Sequence, residues 1–212
     1  MAIRAENGFW PLAKADLRHN GLFRLVPAVG LLALCPVLFG LTALPEAAVW
    51  APLELLAALT GIVLLTPLFT PEQSAPIRET VAVRPVSLLW VYALRLAYSL
   101  VFLVLALGGL CLLLRAGGCA VTPAHFAGTL AEALFLGALG LAASAVTGNG
   151  TLGYMLPMLY YAINYAGGAS MGALDLFAGM RGHAETKVWL AAAGALLLAA
   201  GFAAQWRRTY RR

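Results

Sequence analysis

The fold of the chain is decided by its longest apolar stretch, LLWVYALRLAYSLVFLVLALGGLCLLL, residues 88–114. Arg95 is the only charged residue in it. The stretch exceeds the roughly 20 apolar residues that a helix needs to cross the hydrocarbon core of a membrane. A helix is expected because backbone amides in lipid must find partners within their own segment. The stretch therefore predicts a transmembrane helix.

The rest of the chain has the same character. Hydrophobic residues make up 62% of the 212 residues and charged residues only 11%, whereas soluble domains contain about 45–50% apolar residues. Apolar runs predict spans at 25–44, 50–70, 88–114, 124–147, 151–167 and 188–206. Thr122 and Pro123 suit the N-cap and first position of the fourth span. The sequence thus predicts an all-α membrane protein with six transmembrane helices in one domain, residues 1–212.

Positive charges predict the orientation of these helices. If the N-terminus is cytoplasmic, eleven of the 14 Lys and Arg residues lie inside: Arg4, Lys14, Arg18, Arg24, Arg78, Arg84, Arg95, Arg207, Arg208, Arg211 and Arg212. Outside lie Arg115, Arg181 and Lys187. Because basic loops stay in the cytoplasm, both termini are predicted to be cytoplasmic. Membrane topology accounts for the net charge of +5, and no nucleic-acid partner is predicted.

The first 24 residues precede the first span and are amphipathic. Lys14 and Arg18 lie four residues apart and share a helical face, and Pro11 suits a first helical turn. Residues 1–24 therefore predict an interfacial helix with its basic groups toward lipid phosphates. A disordered basic leader is the alternative.

Polar side chains within the spans are candidate functional residues, because such groups are costly in lipid. In the fifth span these are Tyr154, Tyr161, Asn164 and Tyr165. In the fourth, Glu132 shares a helical face with His125 and Thr129, and Glu54 is expected among the headgroups at the end of the second. The tyrosines either face a hydrated path or hydrogen-bond inside the bundle. The potential ligands around Glu132 are too few to predict a metal site.

Few motifs in the sequence indicate that the chain binds a nucleotide or catalyses a reaction by itself. There is no glycine-rich phosphate loop ending in Lys and Ser or Thr. GASMG, residues 168–172, matches G-x-S-x-G around Ser170, and Asp175 and His183 follow. An intramembrane serine protease is therefore an alternative, although that motif needs a strand–turn–helix setting. A structural membrane protein without transport activity is a further alternative.

A charged break, FTPEQSAPIRETVAVRPVSLLW, residues 69–90, separates the second and third spans. It contains three prolines and four charged residues: Glu72, Arg78, Glu79 and Arg84. The predicted topology places it in the cytoplasm. A short helix held between two spans there would transmit a push from a cytoplasmic partner to both spans.

The segment PEQSAPIRETVAVRPVSLLWVYALRL, residues 71–96, resembles the link between the second and third spans of ABC-2 type transporter permeases. The matching features are the acidic Glu72 and Glu79, the entry Pro85–Ser87, and Arg95 early in the third span. Thr80 follows Glu79 without the glycine that usually stands between them. In this comparison residues 71–87 form a cytoplasmic coupling loop with Glu72, Arg78, Glu79 and Arg84 as its ATPase-coupling residues, and residues 168–187 form an external loop.

The resemblance implies the membrane subunit of an ABC exporter in a bacterial cell membrane. A separate ATPase subunit would bind ATP and Mg²⁺, so that this chain would hold no cofactor and would not itself be an enzyme. Two permease copies would pair with two ATPases to move an amphipathic peptide, lipid or drug. Tyr154, Tyr161, Asn164, Tyr165 and Glu132 would then line the substrate path or the interface between the permeases.

Overall fold

A computed structural model describes residues 21–40, 42–70 and 88–210. Nearly all of the predicted interfacial helix (1–24) and the whole predicted coupling loop (71–87) lie outside these residues. Within them the chain is helical and contains no strand. The predicted all-α class is therefore confirmed for the described part of the chain.

The α-helices of this part are numbered in chain order. They are α1 Leu22–Phe39, α2 Glu46–Leu55, α3 Thr60–Leu65, α4 Leu88–Ala116, α5 Pro123–Thr147, α6 Gly150–Gly167 and α7 Lys187–Tyr210. Short 3-10 helices at Ala57–Leu59, Thr66–Leu68, Gly168–Leu174 and Ala184–Thr186 connect or extend them. Thr122 is the N-cap of α5 and Pro123 its first residue, as the sequence predicts.

Four helical segments in the described ranges are long and apolar enough to cross a membrane. They are Glu46–Leu68, Trp90–Ala116, Pro123–Thr147 and Ala184–Arg208. The apolar part of α1, Arg24–Phe39, is shorter, and α6 is not among the four. These segments and the composition identify a membrane protein, in which four of the six predicted spans meet the requirement.

The second predicted span consists of short helical pieces. Pro52 in α2 lacks the N–H that an α-helix interior uses, and Pro67 lies in the following 3-10 turn. Between them, Leu56 leaves helical geometry with φ −123°. Thr60 Oγ1 donates to the carbonyl of Ala57 at 2.6 Å, which stabilises the new start. The sequence predicted one helix over residues 50–70, whereas the structure interrupts it at Leu56 and ends it in a 3-10 turn that contains Pro67.

Helix α5 lies at the centre and packs against α3, α6 and α7. Small residues allow the closest of these contacts. A Cβ on Gly61 would overlap the carbonyl oxygen of Ala133, and a Cβ on Gly137 would overlap that of Gly61. The backbones of α3 and α5 therefore touch where they cross, as small residues permit in membrane helices.

The segment between α6 and α7 folds back into the bundle. After the 3-10 helix Gly168–Leu174, residues 175–182 form a series of turns, called here the 175–182 turn. Leu176, Phe177 and Ala178 are buried in it. Asn164 of α6 holds the turn, because its Oδ1 accepts the N–H of Leu176 at 3.1 Å.

Candidate functional site

Three ionisable side chains from distant parts of the sequence meet inside the bundle. Lys187, the first residue of α7, places its Nζ 2.6 Å from Glu54 Oε1 and 2.9 Å from Glu132 Oε2. Both carboxylate side chains are fully buried and the lysine side chain is 3% exposed. These residues, called here the buried ion cluster, join α2, α5 and α7.

Glu54 is satisfied by the 175–182 turn as well as by the lysine. Its Oε1 accepts the backbone N–H of Gly179 at 2.8 Å, and its Oε2 accepts that of Met180 at 3.1 Å. With Lys187 this gives the carboxylate three donors, an arrangement that favours its ionised form. The expectation that Glu54 lies among the headgroups is wrong, because its donors surround it inside the bundle.

Glu132 has a poorer environment in the same cluster. Its Oε2 accepts from Lys187 at 2.9 Å, whereas its buried Oε1 has no hydrogen-bond partner in the described part of the chain. Since buried polar atoms are nearly always hydrogen-bonded, this oxygen marks the site as chemically unusual.

An aromatic stack forms one wall of the cluster. Lys187 Nζ lies 4.8 Å from the centroid of the Trp50 ring, within range of a cation–π interaction. Trp50 in turn stacks on His125 with ring centroids 4.3 Å apart. His125 Nε2 must donate to the carbonyl of Glu46 at 3.0 Å, and its Nδ1 accepts the N–H of Thr122 at 3.1 Å. These bonds fix the orientation of the imidazole ring.

Two glycines provide the space that the cluster needs. A Cβ on Gly128 would lie 2.7 Å from Lys187 Cδ, and a Cβ on Gly179 would overlap Trp50 and Glu54 Oε1. Larger residues at either position would displace the charged side chains. The close fit leaves the cluster shielded from solvent, so that its electrostatic interactions are strong.

The tyrosines and the asparagine of the fifth predicted span do not form one surface. Tyr161 donates to the carbonyl of Leu55 at 2.9 Å, next to the cluster. Asn164 is fully buried, while Tyr154 and Tyr165 are 39% and 63% exposed. Thus Asn164 and Glu132 lie in the interior, Tyr161 is partly buried, and Tyr154 and Tyr165 face outward.

The predicted ATPase-coupling residues Glu72, Arg78, Glu79 and Arg84 lie outside the described residues, but the chain on both sides of them is described. Arg95 Nη1 of α4 donates to the carbonyl of Leu68 at 3.2 Å. Tyr92 packs edge-on against Phe69, with ring centroids 4.8 Å apart. These four residues, called here the clasp, fasten the end of the second span to the start of α4.

The clasp also contacts the last helix. Gln205 of α7 donates to Tyr92 Oη at 3.2 Å, and Phe202 packs edge-on against Phe69 at 5.4 Å between centroids. Movement of the clasp would therefore also displace α7. The other end of α7 begins at Lys187, which belongs to the buried ion cluster.

The contacts of Asp175 and His183 do not resemble those of a serine protease. Asp175 forms an ion pair with Arg181. His183 is exposed, and its Nδ1 lies 3.9 Å from Glu185 Oε1. A catalytic histidine would instead be oriented by the triad carboxylate. No group of three or more His, Cys, Asp or Glu residues is placed to hold a metal ion in the ranges that the structure covers.

Sequence reasoning missed Lys187 as a site residue and treated it only as an external positive charge. Its signal in the sequence is its position directly before an apolar span in a chain with two acidic residues inside other spans. No protein-family model matches the sequence, and no curated protein or solved structure matches it either.

Proposed function

We propose that this chain is the membrane-spanning permease subunit of an ATP-driven exporter in a bacterial cell membrane. It works with a separate cytoplasmic ATPase, which binds ATP and Mg²⁺, and with a second permease copy. The clasp carries the proposal, because it stands at the base of the segment whose sequence resembles the coupling loop of ABC-2 permeases.

The clasp gives that segment a mechanical role. Because Arg95 and Tyr92 hold Leu68 and Phe69, a force on residues 71–87 acts on the second span and α4 together. The contact of Tyr92 with Gln205 extends the effect to α7. An ATPase docked on Glu72, Arg78, Glu79 and Arg84 would move three helices through these contacts.

In the proposed topology six helices cross the membrane, both termini are cytoplasmic and residues 1–24 lie at the interface. The split of the Lys and Arg residues, eleven inside against three outside, supports it.

The proposed substrate is amphipathic. Tyr154 and Tyr165 present exposed rings with hydroxyl groups on α6, which suits a substrate or a second permease copy with both apolar and polar parts. Tyr161 and Asn164 would support this surface without lining it, since Tyr161 bonds to α2 and Asn164 bonds to the 175–182 turn.

The topology predicts which positions react with a membrane-impermeant thiol reagent. In intact cells expressing a chain whose native cysteines are replaced, cysteine at exposed position 47 or 183 is expected to be labelled from outside. Cysteine at exposed position 149 is expected to react only after the membrane is permeabilised. Labelling of position 149 in intact cells would contradict the six-span arrangement.

The proposed coupling between the ATPase and the permease predicts that two substitutions impair the complex. When the chain is purified with the ATPase that accompanies it, Glu79→Arg is expected to reduce co-purification several-fold. Arg95→Leu is expected to leave the complex assembled but to lower transport by at least about tenfold, because the clasp is lost. Export from cells and ATPase activity of the purified complex measure the two effects.

Arg115→Leu is the matched control, because Arg115 lies near the other end of α4 and is exposed. It is expected to leave assembly and transport close to the unmodified level. If Arg95→Leu behaves like Arg115→Leu, the clasp does not transmit the motion. If no ATPase accompanies the chain, the exporter proposal is wrong.

A further inference from the structure

The buried ion cluster has an uneven number of charges. If Glu54, Glu132 and Lys187 were all ionised, one net negative charge would lie among side chains that are no more than 3% exposed. A buried charge without a counterion is strongly unfavourable. The cluster therefore needs one more positive charge for balance.

The hydrogen bonds show where that charge belongs. Glu54 accepts from two backbone N–H groups and from Lys187, so both of its oxygens have donors. Glu132 accepts from Lys187 through Oε2 alone, and its Oε1 has no partner among the described residues. The additional charge is best placed at this oxygen.

The other titratable groups near Glu132 cannot supply it. Tyr161 of α6 uses its hydroxyl proton on the carbonyl of Leu55. His125, one helical turn before Thr129 on α5, donates from Nε2 to the carbonyl of Glu46. In the 175–182 turn, Asp175 is paired with Arg181. Each of these groups is committed to another partner.

We propose that Glu132 is a proton-binding site and carries a proton on Oε1 in this arrangement of the helices. The proton comes from a hydronium ion of the surrounding water: one of its O–H bonds breaks as the O–H bond on Oε1 forms, the carboxylate becomes a carboxylic acid, and a neutral water molecule is released. The cluster then consists of one carboxylate, one ammonium group and one neutral acid. This site is independent of the proposed export function.

A proton fits the site better than a metal cation. Small cations need several oxygen ligands, and the described residues contain no group of three acidic, His or Cys side chains placed for one. Lys187 Nζ also lies 2.9 Å from Glu132 Oε2 and would repel a second cation. A proton needs only the single oxygen that is available.

Infrared spectroscopy of the purified full-length chain in lipid nanodiscs at neutral pH tests the proposal. The unmodified protein is expected to show the carbonyl stretch of a protonated carboxylic acid, which shifts in heavy water and on labelling glutamate with ¹³C at the side-chain carboxyl. Glu132→Gln is expected to abolish this band. Glu185→Gln, at an exposed glutamate, is expected to leave it unchanged.

Glu54→Gln provides a sharper test of charge balance. Removing the ionised partner should make Glu132 release its proton to balance Lys187, so the band should disappear although Glu132 is intact. Absence of the band from the unmodified protein would overturn the proposal whether or not any variant folds. Persistence of the band in Glu132→Gln would also overturn it. If the band is absent and the stability of the protein depends on Na⁺ or K⁺, the site binds a metal cation instead.

Discussion

Lys187→Met is expected to lower the free energy of unfolding by about 3–5 kcal/mol, or to prevent folding altogether. The substitution keeps the length and apolar stem of the side chain but removes the ammonium group between Glu54 and Glu132. The carboxylate of Glu54 is then buried without its counterion, and loss of one partner from a buried pair has an effect of this size. Thermal unfolding followed by size-exclusion chromatography measures it.

The neighbouring position on the same helix gives a matched control. Val188 is 70% exposed, so Val188→Met should change the midpoint of thermal unfolding little. The double variant Lys187→Met with Glu54→Gln should be less destabilised than the sum of its single effects predicts, because the carboxylate that Lys187→Met leaves without a counterion is then absent. Strict additivity, or an unchanged midpoint in Lys187→Met, would show that the ion cluster does not hold the helices together.

Gly61→Ala is expected to be the most damaging single methyl group that can be added to the described residues of the second span. Its Cβ would overlap the carbonyl oxygen of Ala133 on α5, which is backbone and cannot rotate away. Helices α3 and α5 would have to separate, at a cost at or above the upper end of the about 1–3 kcal/mol typical of overpacking. A lower midpoint of thermal unfolding and a smaller monodisperse fraction in detergent are the expected observations.

Gly109→Ala tests whether the effect comes from the close approach. Gly109 is also a glycine within a membrane helix, but a Cβ there meets nothing within 4 Å. Because alanine is the better helix former, this variant should be at least as stable as the unmodified chain. Equal behaviour of the two variants would mean that α3 and α5 do not pack as closely as described.

Local signals in the sequence predicted much of the helical architecture. The apolar run 88–114 became α4, Leu88–Ala116, and Thr122 with Pro123 correctly marked the start of α5. Such features depend on the length of an apolar stretch and on helix-start chemistry, both of which are written in neighbouring residues. The interruption of the second span at Leu56 has no such local signal, because Pro52 lies within α2 and Pro67 near the end of the span.

The candidate site could be predicted only in part, because its members come from distant positions. Glu132 stood out as an acid inside a span, and its helical face with His125 and Thr129 is buried as a unit. Nothing near Glu54 in the sequence shows that the N–H groups of Gly179 and Met180 reach it. Side-chain partners of this kind depend on how helices pack, which periodicity alone does not specify.

The anchoring of the 175–182 turn by a buried carboxylate has a consequence for local fluctuations. The N–H groups of Gly179 and Met180 donate to Glu54. Opening of the turn would therefore remove two hydrogen-bond donors from the Glu54 carboxylate, which has no access to solvent. A connection between helices ordinarily frays at little cost. The 175–182 turn opens only together with the part of the bundle that it covers. The free energy of opening it therefore approaches the free energy of unfolding of the bundle.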